Sequence, residues 1–131
     1  MKVALVLPVP LAKKYSEYSD YHLCLAHLVM PHPEYADLYR SKSRNGEFVI
    51  LDNSMMELGE SMISDQLLHI AERVGASEVV APDYPGNAQK TVWELAAFIA
   101  RSQVPVMMVP HGSDRKSWLW SCGFMTGLLY K

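Results

Sequence analysis

The chain has 131 residues, half of them hydrophobic and a fifth charged, with a formal net charge of −2. That suits one domain spanning residues 1–131 with a real core, excludes a disordered tail, and leaves no apolar run near the roughly 20 residues that cross a bilayer. Tight nucleic-acid binding driven by overall charge is also excluded, because it depends on neutralising several phosphates with Lys and Arg.

Lys2 to Leu7 is a near-continuous apolar run that suits a strand buried in a parallel sheet, and Pro8 and Pro10 end it. The run is too short for a signal peptide and lacks a small-residue cleavage site. From Ser16 to about Val29, Tyr18, Tyr21, Leu25 and Leu28 recur at three- and four-residue spacing, which predicts a helix stopped by Pro31. Pro33 to Tyr39 reads as a short helical turn. Arg40, Lys42 and Arg44 alternate with serines and read as a solvated loop or, with Lys13 and Lys14, as the best local candidate for a nucleic-acid contact.

Phe48 to Leu51 is the second predicted strand, leading into the polar pair Asp52-Asn53. A helix follows from Ser64 as N-cap, burying Leu67, Leu68, Ala71 and Val74 and closed by Gly75. Glu78 to Ala81 is the third strand, ending at Pro82-Asp83. Asn87 to about Arg101 is a helix carrying Val92, Leu95, Ala96 and Ile99 inward, and Val104 to Val109 is a fourth strand ending at Pro110-His111-Gly112. Residues 113–131 form an apolar C-terminal helix or tail. Cys24 and Cys122 stand far apart without metal-ligand or redox spacing, so neither a disulfide framework nor a zinc knuckle is indicated.

Strands alternating with helices predict an α/β fold of four β-α units with parallel strands, because each crossover returns the chain to the same end of the sheet. The ligand site of such sheets lies at the C-terminal strand ends. Asp52, Asn53, Asp83, His111 and the turn at Pro8 to Pro10 therefore surround one mouth. Phosphate-binding glycine loops are absent from the sequence.

Three segments, Phe48 to Gly59 with Leu51-Asp-Asn-Ser-Met-Met-Glu57, Ala71 to Asp83, and Val109-Pro-His-Gly112, resemble in order and spacing the first half of the tRNA-guanine transglycosylase superfamily, closest to its phage-associated branch. The resemblance implies half of a (β/α)8 barrel and exchange of guanine for a 7-deazaguanine in tRNA or phage DNA. It implies catalytic work for Asp52, base recognition by Asp83, and a place in the substrate pocket for Gly112. His111 stands where the family has glutamine, and Ser54-Met55 stand where it has Gly-Gly. The family's nucleophilic aspartate and zinc ligands belong to the later half, so no cofactor or metal is expected in this chain.

Cleaving a glycosidic bond needs a charge stabiliser at the anomeric carbon and a group that moves protons on the leaving base. A carboxylate at Asp83 suits the paired N–H donors of a guanine-type edge, with Asn53 or His111 as the complementary donor and Glu57 as a supporting partner. Against these roles stand simpler ones: Asp52 as a turn cap, Asp83 as a turn residue, His111 as a loop histidine. His22, His27, His32 and His69 read as structural.

Half a barrel exposes a sheet edge and an apolar face. The expectation is a homodimer or a second chain that completes the barrel, with Trp118, Trp120, Phe124, Leu128 and Leu129 available to cover the face. Besides transglycosylase-like base exchange, two other readings stay open: a non-catalytic base-binding or accessory subunit, and a small-molecule barrel-type enzyme. The expected setting is the cytoplasm, that of the host if the chain is phage-encoded, with no membrane partner.

Overall fold

The computed structural model describes residues 2–129, and side-chain exposure for residues 2–127. Five strands form one parallel sheet in the order β1-β2-β3-β4-β5: β1 (Leu5–Val6), β2 (Tyr21–Leu25), β3 (Phe48–Asp52), β4 (Glu78–Val80) and β5 (Val106–Met107). Between them run α1 (Val9–Tyr15) with a 3-10 turn at Ser16–Tyr18, α2 (Ala26–Val29), α3 (Pro33–Arg44), α4 (Met55–Leu58), α5 (Ser64–Val74) and α6 (Ala88–Arg101), and α7 (Arg115–Leu129) follows β5. Each strand lies beside its predecessor. Right-handed crossovers in that order place successive helices on one face and leave no reversal of strand order, which is the arrangement of a barrel segment and not of a doubly wound sheet.

Register separates the two faces. Leu51 pairs with Val79, and both, with Val49, are fully buried in the cluster that holds Tyr39, Leu67, Ile70, Val74, Leu95 and Phe98. Alternate positions point the other way, where Tyr21 and Phe48, opposite one another in register, stack with ring centroids 4.7 Å apart. On α5 the buried set is Leu67, Ile70, Ala71 and Val74, and on α6 Val92, Leu95 and Phe98, while Ala96 and Ile99 are exposed. Each fully buried Leu or Ile contributes about 2 kcal/mol relative to leaving it in water. Gly75 ends α5 in the left-handed region at φ 67°, where a β-carbon is disfavoured. Ser64 is the first helical residue of α5, and its N-cap is Ile63.

The fold class expected from the sequence is present, with one correction: the segment from Ser16 to Val29 is not one helix but a 3-10 turn, strand β2 and the short α2. In β2, His22 and Cys24 are buried on one face while Tyr21 and Leu23 stay partly exposed on the other. His22 reads as polar in a hydropathy pattern, yet it is buried because Glu47 accepts its Nε2 at 2.6 Å.

A second correction concerns the charge run at Arg40 to Arg44. These residues are the last turns of α3, and Lys42 is buried, its ammonium 3.0 Å from Glu17 and 3.4 Å from Glu47. Because α3 feeds the start of β3, the run lies at the N-terminal end of the sheet, opposite the mouth. Lys13 and Lys14, in the last turn of α1 ahead of β2, lie on that side too.

The tail from Arg115 is helix α7, which packs along α6. Met125 and Ser121 are buried, while Trp118, Trp120 and Phe124 are only half-buried; the side chains of Leu128 and Leu129 lie outside the described residues. Among the described residues no helix is long and apolar enough to cross a membrane. Cys24 and Cys122 are both free thiols.

Candidate functional site

The C-terminal ends of β3, β4 and β5 bring Asp52, Asn53, Asp83 and His111 together. β3 ends with Asp52, and the backbone then turns through Ser54, whose φ of 60° and ψ of 25° make it the one left-handed non-glycine among the described residues. That conformation costs a residue with a β-carbon about 1–2 kcal/mol. Three side-chain contacts hold it. Ser54 N–H donates to Asp52 Oδ2 at 2.8 Å, Met55 N–H donates to Asn53 Oδ1 at 3.0 Å, and Ser54 Oγ accepts from His27 N–H at 3.1 Å. Asp52 and Asn53 thus each bond the backbone two residues on, the pattern that lets short polar side chains direct a turn.

Asn53 also crosses to the next strand. Its amide donates to the Ala81 carbonyl at 2.7 Å and to Asp83 Oδ1. Asp83 is buried, and its second carboxylate oxygen meets His111 Nε2. Ser61 completes the enclosure: its hydroxyl accepts from Asp83 N–H at 3.0 Å and lies 2.9 Å from the Asp83 carbonyl and 3.3 Å from Oδ1. A buried carboxylate needs such donors, since leaving one unpaired costs several kcal/mol. Asp83 is not the turn residue itself. The turn lies just beyond it, where Asn87 N–H bonds the Tyr84 carbonyl at 2.9 Å, with Pro85 and then Gly86 at φ 75° in the central positions.

Asp52 is half-buried, and its Oδ1 has no hydrogen-bond partner among the described residues. Burial pushes its pKa up, with Glu57 and Asp83 adding repulsion, while the Ser54 N–H bond and His27 pull it down. The site therefore offers one carboxyl biased toward holding a proton and one carboxylate enclosed by donors.

Glu57 stands exposed on α4, reaching Asp52 only through its charge. Gly112 has a packing reason to be glycine: a β-carbon there would lie 2.3 Å from the Trp118 backbone nitrogen and 2.7 Å from Ser117 Oγ. Its missing side chain therefore faces the first turn of α7. His22 belongs to the opposite end of the sheet, whereas His27 is at the mouth, its Nδ1 buried without a partner. Ser61 escapes sequence reading, since an isolated serine carries no spacing signal; Gly59, at φ 77°, marks the turn that brings Ser61 back. Among the described residues no three His, Cys, Asp or Glu side chains converge as a metal-binding group.

Comparison with protein-family models, curated proteins and solved structures finds no match for the chain.

Proposed function

We propose that the chain is a transglycosylase-like domain that takes a guanine or 7-deazaguanine base at the ends of β3 to β5 for base exchange in tRNA or DNA. The observation that carries this reading is the presence of two carboxyl groups with unlike environments at one mouth, Asp52 and the Asn53-bonded Asp83. Asp83, held in place by Asn53, supplies the acceptor for the base's N–H donors once His111 swings aside, and His111 supplies the complementary donor. Asp52, protonated more readily than an ordinary aspartate, moves a proton at the reacting centre. The left-handed backbone at Ser54 supports the reading as well, because it is a conformation that glycine adopts without strain, at a place where the resembled family has glycine. Glu57 and Gly112 frame the pocket without touching these acids. A second copy or a separate subunit continues the sheet beyond β1 and β5, with the nucleophile coming from the separate subunit, and the sedimentation mass reports it.

A second reading follows from the Asp83–His111 contact. A buried carboxylate that holds an imidazole fixes its orientation, the arrangement of a general acid–base pair acting on a small molecule.

Calorimetric titration with guanine, 7-deazaguanine and adenine separates the two. Binding of the guanine-type bases that Asp83→Asn abolishes and Asp52→Asn retains supports base recognition, provided both variants melt cooperatively. Failure of all three bases to bind the folded wild-type chain removes the transglycosylase reading.

A further inference from the structure

Two indole rings stand in the open beside the mouth: Trp93 on α6 is 72% exposed and Trp120 on α7 is 48% exposed. Large aromatic side chains are seldom left in water unless something covers them. Both line one open cleft of about 500 Å³, bordered by Asn87 from the loop after β4, by Ser113 and Asp114 from the loop after β5, and by Lys116 and Ser117 in the first turn of α7. Those loops are the ones that leave Asp83 and His111, so the cleft lies at the same end of the sheet as the mouth. Its volume falls in the range of small-molecule sites. A neighbouring groove shares Trp93 and Asn87 and adds Lys90, whose ammonium lies 3.8 Å from the centroid of the Tyr84 ring.

The lining chemistry selects the occupant. Among the described residues neither Lys90 nor Lys116 has a carboxylate within ion-pair distance. Asp114, the acid in the cleft, accepts from Ser117 N–H at 2.7 Å and lies 2.9 Å from the Ser117 hydroxyl, so it is engaged at the start of α7. Lys116 in the cleft and Lys90 in the groove beside it, both without a carboxylate partner, flank exposed indoles with Asn and Ser between, which matches alternating bases and phosphates; the cores of protein–protein interfaces are instead depleted in Lys. The net charge of −2 does not oppose this, because such contact is local.

We propose that the α6–α7 cleft and the groove beside it form a subsite for single-stranded nucleic acid, with bases stacked on Trp93 and Trp120 and phosphates held by Lys116 in the cleft and Lys90 in the groove. It rests on the base-exchange reading only for its purpose, which is to hold the nucleotides flanking the base delivered to Asp83. The test is titration of the intrinsic tryptophan fluorescence of the full chain with oligothymidylate and oligouridylate of about a dozen nucleotides, within the usual single-strand site sizes. Saturable quenching by either oligomer is expected. Trp93→Ala should weaken binding about tenfold, and Lys90→Ala and Lys116→Ala should each lower the salt slope by about 0.7. Trp93 and both lysines are exposed, so these variants keep the fold.

These oligomers contain no guanine, which separates the two proposals. Oligomer binding without guanine binding supports the cleft while the base reading fails; guanine binding with unchanged fluorescence against both oligomers overturns the cleft alone. Fluorescence that shifts with protein concentration in the absence of nucleic acid, alongside a doubled mass that Trp93→Ala returns to monomer, overturns it too, by assigning the indoles to contact between copies.

Discussion

The Asn53 amide bonds the Ala81 carbonyl and the Asp83 carboxylate at once, tying the end of β3 to the end of β4. Ala81 is 2% exposed and Asp83 6% exposed, so neither acceptor can turn to bulk water instead. Removing the amide leaves a buried carboxylate and a buried carbonyl each short of a donor, at about 1–3 kcal/mol apiece. Asn53→Ala should therefore lose about 2–4 kcal/mol of unfolding free energy in urea, and Asn53→Asp more, because it sets a second negative charge against Asp83. A loss under about 0.5 kcal/mol, the scale of an ordinary surface substitution, would show that the tie contributes nothing.

Asp52 carries a pH signature. Its folded pKa is raised above the ordinary aspartate value, chiefly by burial, so the native state holds this proton more tightly than the unfolded chain does. The stability this provides is complete below the unfolded-state value of about 3.9 and is lost as pH rises through the folded value. Asp52→Asn, which keeps an acceptor for Ser54 N–H, should gain in melting temperature relative to wild type as pH rises from about 3.9 toward neutrality. A difference that does not change with pH would mean that Asp52 is not desolvated.

Ser54 combines a strained backbone with a hydrogen bond to His27 N–H at 3.1 Å. Glycine relieves the strain but loses the bond, and alanine loses the bond while keeping the strain. Each effect is worth about 1 kcal/mol. Ser54→Gly should therefore stay within about 0.5 kcal/mol of wild type, and Ser54→Ala should fall about 1–2 kcal/mol below it. Equal losses in chemical denaturation would place Ser54 outside the left-handed region.

Lys42 predicts a cost where its sequence context reads as surface. Its ammonium is the partner of Glu17 and of Glu47, and Glu47 in turn holds the buried His22. Breaking a buried pair by removing one member costs about 3–5 kcal/mol. Glu17 is largely exposed and screened, so Lys42→Ala should lose nearer 2 kcal/mol, with Arg40→Ala, exposed on the same helix, as a near-neutral control. Equal small effects in both variants would return the whole run to the solvated surface.

Hydrophobic period and turn residues were enough to read the parallel α/β class, four of the five strands near their observed places, the helices α5 and α6, and the gathering of Asp52, Asp83 and His111 at one end. Those features follow from local spacing and from the rule that parallel crossovers return to the same edge. β2 was not legible that way. Its buried face carries His22, whose burial depends on Glu47, 25 residues further along. The helical extent of Arg40 to Arg44 was hidden for a related reason, since Lys42 is made compatible with the interior by Glu17 and Glu47 from other elements.

Near the site, composition and spacing supplied the two acids but not their difference. That Asp83 is enclosed by Asn53, Ser61 and His111 while Asp52 keeps one oxygen free is a matter of which loops meet, and isolated serines leave no periodic trace. The same holds for the cleft beside them: Trp93 and Trp120 lie on different helices, and only packing of α7 along α6 makes two scattered indoles into one surface. Short-range pattern determines which elements form, because it acts through backbone geometry and burial of one face. Desolvation and hydrogen-bond pairing between distant residues act only through contacts that the folded chain creates, so protonation, enclosure and exposure were decided by the tertiary structure.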